Sequence, residues 1–187
     1  MPSHDSKDFV SSETLVTNPW HSYCVDRFRQ RDGSIGDYYH IDMAGACGII
    51  PLFPDGSTVL LKVYRYLLNQ TLWEFPIGGM APGEQPLSVA KKELQEEAGL
   101  IAQDWHQLGT FAPYKGASTE VDHFYLAQNL TWTKQELEPS EEITVHPMPL
   151  SEARQTLYEQ ALMDGQSIVG LTLLDRFLAA NPDLQGL

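Results

Sequence analysis

Three glutamates, Glu93, Glu96 and Glu97, stand at positions i, i+3 and i+4 of one short stretch. On a helix that spacing projects all three carboxylates from one face within about one turn. The arrangement is locally unfavourable. Like charges at i,i+4 cost roughly 0.2–0.5 kcal/mol, and acids in a last turn oppose a macrodipole that favours cations there by about 0.3–1 kcal/mol. A divalent cation reverses the sign of both penalties. The donors are all oxygen, with neither clustered His nor paired Cys, which favours Mg²⁺, or Mn²⁺, over Zn²⁺. Several carboxylates around such ions clamp a phosphate, activate a water and neutralise a leaving oxygen. A solvated acidic helix face is the plain alternative for any two or three glutamates. The stretch holds more than that: Gly78, Glu84, Lys92, Leu94, Gly99 and Leu100 complete it.

The elements that must position these carboxylates can be read around them. Leu87, Ala90, Leu94 and Ala98 recur at helical spacing, and Gly99 is a natural stop, so a helix is expected over 87–98. Residues 1–18 are polar and are expected to be mobile. His21–Arg29 and Ile35–Met43 read as two antiparallel strands joined at Asp32-Gly33. Ala44–Leu52 reads as a buried strand, Asp55-Gly56 as a turn, and Thr58–Tyr64 as a second apolar strand. Strands are expected near Trp105–Pro113 and Asp122–Ala127. Ser151 is the expected N-cap of a helix to about Met163, and Ser167–Ala180 reads as the last helix. This order of elements gives an α/β sandwich with a mixed sheet, residues 44–187, preceded by a small antiparallel β-sheet unit, residues 1–43.

Composition narrows the function. The chain has 187 residues, 12 basic and 25 acidic, for a net charge of −13. The acids are concentrated in the second half: residues 1–92 hold 10 acids and 8 bases, residues 93–187 hold 15 and 4. A basic footprint for nucleic acid is missing, and anionic membranes are disfavoured. No run of 18 apolar residues is present, and the first residues lack a signal-peptide core. Cys24 and Cys47 form no CxxC, so a reduced cytoplasmic protein is the expectation.

The stretch Gly78-x5-Glu84-x7-Lys92-Glu93-Leu94-x-Glu96-Glu97-x-Gly99-Leu100 resembles the Nudix box, with Lys92 in the place of the usual Arg. Lys keeps the charge there but loses the planar fork. Val63-Tyr64-Arg65-Tyr66, Trp73–Gly79, Gly116–Glu120 and the tail from Glu141 resemble the Nudix enzymes that cleave ADP-ribose and other nucleoside diphosphate sugars. The resemblance covers about residues 20–180. It implies a Nudix-type α/β/α sandwich, and hydrolysis to a nucleoside monophosphate and a sugar phosphate. It implies Glu93, Glu96, Glu97 and the Ile77 carbonyl as metal ligands, with Glu96 also a catalytic candidate. Glu120 is implied as base or further ligand, in a glycine-containing loop able to swing in when substrate and metal are present. Arg65 is implied to reach the diphosphate, with an ion pair to Glu74 as the structural alternative; both are candidate substrate-binding residues. Trp20, Tyr23 and Phe28 are candidates to stack on the base, and Lys115 to touch phosphate. The N-terminal sheet is implied to lie across a homodimer interface.

Tyr114-Lys115-Gly116 lacks the proline often found before the loop glycine, which leaves GDP-mannose or a broad range of nucleotide sugars open beside ADP-ribose. The zinc cysteines of the NADH-cleaving branch are missing. A Nudix-like sensor that binds without cleaving is disfavoured, because the box glutamates are retained. A dinucleoside polyphosphate or a capped RNA end is a further alternative, against which the net charge and the flanking motifs argue.

Overall fold

The computed structural model describes residues 7–182. Three strands, β1 (Phe9–Thr17), β2 (Ser22–Arg29) and β3 (Ile35–Asp42), form an antiparallel sheet in that order. The expected pair is present, and its turn is fixed by Asp32, whose carboxylate accepts from the Ser34 N–H at 3.0 Å. Strand β1 corrects the expectation that residues 1–18 are mobile; residues 1–6 lie outside the described residues. Its side chains are exposed except for a half-buried Phe9, so no buried-face pattern announces it. The ladder to β2, from Phe9 opposite Phe28 to Thr17 opposite Ser22, holds it instead.

The larger part is a sandwich. Strands β4 (Ala46–Pro51), β7 (Ile77–Gly79), β8 (Leu100–Phe111) and β9 (Asp122–Trp132) form a mixed sheet in the order β7-β4-β9-β8, with β4 and β9 parallel. Strands β5 (Ser57–Arg65), β6 (Gln70–Glu74) and β10 (Ile143–Pro149) form an antiparallel sheet in the order β10-β5-β6. Strand β10 is absent from the sequence reading because Pro147 and Pro149 argue against a strand. It survives as an edge strand, where the ladder tolerates proline. Strands β8 and β9 also run longer than expected.

Alternation sends successive side chains to two cores. Cys47, Ile49, Leu61, Tyr125 and Ala127 pack with helix α1 (Pro86–Ala98) through Val89, Ala90 and Leu94. Ile50, Leu60, Phe124 and Leu126 pack with α2 (Leu150–Glu159) and α3 (Gly165–Ala180) through Ala153, Leu157, Leu171 and Leu174. Strands buried on both faces lie between helices, the α/β/α sandwich expected from the sequence. Helix α2 follows Pro149 directly rather than a Ser151 cap and ends before Met163. Helix α3 begins two residues earlier than expected, capped by Asp164, which accepts from the Ser167 N–H at 2.7 Å. No helix among the described residues is long and apolar enough to cross a membrane.

Candidate active site

Helix α1 starts with Pro86 at its first turn and stops at Gly99, whose φ of 63° is the left-handed cap the sequence predicts. Its buried stripe includes Glu93 and Glu97 beside Ala90 and Leu94. Both carboxylates are therefore turned into the protein, against β7. The Ile77 N–H donates to Glu97 Oε2 at 2.9 Å. Gly78 lies against the Glu93 carboxyl, in a space a Cβ would fill. Glu96 is half-buried and paired instead with Lys92 at 3.1 Å, and Lys92 also stands 3.6 Å from Glu93. Thus Lys92 holds two of the three acids by charge, in the position where the Nudix box has Arg.

Burial pushes the Glu93 carboxyl up to about 7, with the Glu96 charge adding to it and Lys92 opposing. Burial pushes Glu97 up to about 8, with the Glu93 charge adding and the Ile77 N–H opposing. Two buried carboxylates that resist ionising together form a donor set suited to a hard divalent cation, which removes the cost of both charges. Among the described residues, no three His, Cys, Asp or Glu side chains already stand together at ligating range.

A cavity of about 670 Å³ is lined by Arg65, Glu74, Ile77, Glu120, Asp164 and Gln166 among others; Glu93, Glu96 and Glu97 do not line it, and Ile77 links it to Glu97. Arg65, at the end of β5, forms a fork with Glu74, at the end of β6: Nε donates to Oε1 at 2.8 Å, and Nη2 contacts Oε2. Glu74 is 1% exposed, while the Arg65 side chain keeps 41% of its surface. The fork holds Arg65 above its usual range, and burial pushes the Glu74 carboxyl up against the pull of Arg65. Burial, with the Asp122 charge, also raises Glu120. Glu120, Asp164 and Gln166 are shared with a second cavity of about 450 Å³ walled by Phe111, Pro113 and Val169.

The structure therefore brings Arg65, Glu74, Ile77 and Glu120 to one cavity. The other candidates lie elsewhere. Trp20 is 77% exposed and lines a separate cavity of about 400 Å³ with Pro82 and Gly83. Lys115 lines a small one of about 190 Å³ with Asp26, Tyr38 and His40. Phe28 packs edge-on against Tyr38, and Tyr23 stacks on Tyr39.

Sequence reasoning missed Asp122, Asp164 and Gln166. Asp122 is fully buried and accepts from the Ala46 N–H at 2.9 Å and from Gln166 Nε2 at 2.8 Å. The Phe75 N–H donates to Ser167 Oγ at 2.9 Å, so the start of α3 is tied to the segment between Glu74 and Ile77. An Asp three residues before Ser167 and ahead of an apolar run was a cap signal in the text; the role of Asp122 had no local sign.

The NUDIX domain family matches residues 44–165 of this chain. The ADP-ribose pyrophosphatase of Mycobacterium tuberculosis is 30% identical over 174 residues, 91% of this chain and 84% of that protein. The methanol dehydrogenase activator of Bacillus methanolicus is 28% identical over 132 residues, 70% of this chain and 71% of its own length. A crystal structure of an ADP compounds hydrolase superposes with a TM-score of 0.79 at 19% identity, covering 96% of each chain, a likeness of fold. With Glu93 and Glu97 set against β7, its sandwich fold and its matched core, the chain belongs to the Nudix family, as a hydrolase of the pyrophosphatase kind.

Proposed function

We propose that the protein hydrolyses the diphosphate bond of ADP-ribose or other nucleoside diphosphate sugars with Mg²⁺ or Mn²⁺, releasing a nucleoside monophosphate and a sugar phosphate. One observation carries the reading: Arg65, Glu74, Ile77 and Glu120 converge on a single cavity, at whose wall Ile77 is bonded to Glu97. The name of the Mycobacterium tuberculosis relative supports the choice of substrate class.

In this reading Glu93, Glu96, Glu97 and the Ile77 carbonyl hold the metal, with Glu120 as a further candidate. A divalent ion there supplies charge neutralisation on the phosphoryl oxygens and a more acidic water. Arg65, kept ionised and oriented by Glu74, presents its free edge to the diphosphate, a task that suits a rigid fork. Glu120, its proton affinity raised by burial, takes the proton of the attacking water. Residues 1–43 form the accessory unit that contacts the base and pairs two copies as a homodimer. Exposed Leu15, Val16, Tyr23, Ile35 and Tyr39 on this sheet, and Trp20 in the β1–β2 connection, support the pairing. Two buried free cysteines support a reduced, cytoplasmic setting; burial pushes the Cys47 thiol up to about 12.

The test is a panel of ADP-ribose, GDP-mannose and UDP-glucose with Mg²⁺ or Mn²⁺, products identified by mass. Monophosphate plus sugar phosphate from at least one is expected. No cleavage of any diphosphate compound overturns the reading.

A further inference from the structure

The loop that carries Glu120 is not free. On its N-terminal side it runs alongside the end of β3. The Ile41 N–H donates to the Ala117 carbonyl at 2.8 Å, and the Thr119 N–H donates to the Ile41 carbonyl at 3.0 Å. The Tyr38 hydroxyl donates to the Gly116 carbonyl at 2.8 Å. Thr119 Oγ1 accepts from the Met43 N–H at 3.0 Å and stands 3.0 Å from Asp42 Oδ1 and 3.2 Å from the Met43 carbonyl, to one of which it donates. On the other side of Glu120, the peptide of Val121 lies directly against Gly45, where a Cβ would collide with the Val121 carbonyl. Gly45 has φ 100°, a conformation that favours glycine. Asp122 then holds the Ala46 N–H.

Of the chain neighbours of Glu120, Thr119 is thus bonded to, and the Val121 peptide packed against, one segment, residues 41–46, which joins the N-terminal sheet to β4. The same segment reaches the Nudix box: the Met80 N–H donates to the Gly45 carbonyl at 2.9 Å. We propose that this connection is the mount that sets the Glu120 backbone relative to the box, with Thr119 as its positioning residue, so that the N-terminal sheet is part of the catalytic apparatus and the Glu120 side chain alone moves on binding. This rests on the reading that Glu120 acts in hydrolysis. A hydroxyl that accepts from the Met43 N–H and donates to an oxygen of Asp42 or Met43 makes two ties to this segment that a methyl group cannot.

The experiment compares Thr119→Val, Thr119→Ser, Glu120→Gln and the double variant Thr119→Val/Glu120→Gln in the full chain, with kcat, KM and melting temperature for a nucleotide sugar that the wild type cleaves. Misplacing a reacting group by a fraction of an ångström lowers kcat of Thr119→Val about tenfold or more with KM within about twofold. Thr119→Ser, which restores the hydroxyl, returns to within about threefold of wild type. The double variant is no slower than Glu120→Gln alone, since Thr119 acts through Glu120. If Thr119→Val keeps the wild-type kcat while Glu120→Gln is slow, the mount is wrong and the role of Glu120 stands. If the two losses multiply, or if Thr119→Ser is as slow as Thr119→Val, the positioning role falls. If Glu120→Gln itself keeps full rate, the reading of Glu120 fails, and the mount fails with it.

Discussion

Gly78 and Glu93 occupy one space: the carboxyl of Glu93 lies where a Cβ of residue 78 would project. The first glycine of the box is therefore a matter of room, since Gly78 is absent from the positive-φ positions. Gly78→Ala is expected to push the Glu93 carboxylate out of its place. Activity falls on the order of a hundredfold, and stability by about 1–3 kcal/mol from overpacking. Rate and melting temperature measured on one preparation separate the two. A Gly78→Ala variant with wild-type kcat would show that the placement of Glu93 is unimportant.

The fork between Arg65 and Glu74 supports a second prediction. Glu74→Gln leaves an ionised Arg65 beside a neutral amide. Removing one partner of a fully buried pair costs about 3–5 kcal/mol. Arg65 keeps 41% of its side chain exposed, so about 1–3 kcal/mol is expected here after solvent screening. A looser guanidinium raises KM for the nucleotide sugar more than it lowers kcat. A denaturant midpoint equal to that of wild type contradicts the structural part.

The buried acids predict a pH dependence of the metal-free protein. Glu93 is raised to about 7 and Glu97 to about 8 in the folded state, against 4.5 for a free carboxyl. Between those values the folded chain holds protons the unfolded chain has given up. Their contribution to stability is complete below about 4.5 and is lost as pH rises through about 7 and about 8. In chelator, the melting temperature of wild type should fall relative to that of Glu97→Gln between about pH 4.5 and about pH 8. Added Mg²⁺ should raise it more at the alkaline end. Parallel melting curves for the two proteins across that range contradict the burial argument.

Asp122 is fully buried and serves two partners, the Ala46 N–H and Gln166. Asp122→Ala leaves a backbone donor without its acceptor and opens a small void. A loss of about 2–4 kcal/mol is expected from the two effects together, read as a shift in denaturant midpoint. A change under about 0.5 kcal/mol would mean that water replaces the carboxylate at little cost.

What could be read from the sequence was short in range. The spacing of Glu93, Glu96 and Glu97, the stripe of Ala90 and Leu94 and the stop at Gly99 lie within one helix, and each followed from local rules. What that spacing did not carry is the difference in burial: Glu93 and Glu97 turn inward, whereas Glu96 is half-buried and pairs with Lys92 at i,i+4. Strand β1 escaped because it buries no side chain fully, and β10 because its prolines are tolerated only at an edge. Asp122 and Gln166 are 44 positions apart, and Asp122 and Ala46 are 76 apart. Partners at such distances leave no periodic trace, so these ties became legible only once the chain was folded.

The most direct measurement is the rate at which ADP-ribose yields AMP with Mg²⁺, for wild type and for Glu97→Gln of equal foldedness. Glu97 is the acid bonded to Ile77 at the cavity wall. Loss on the order of a hundredfold or more in Glu97→Gln, with wild-type turnover abolished by chelator, is the predicted result. Equal rates in the two proteins, or wild-type turnover indifferent to chelator, would contradict a reaction run by the buried carboxylates of α1.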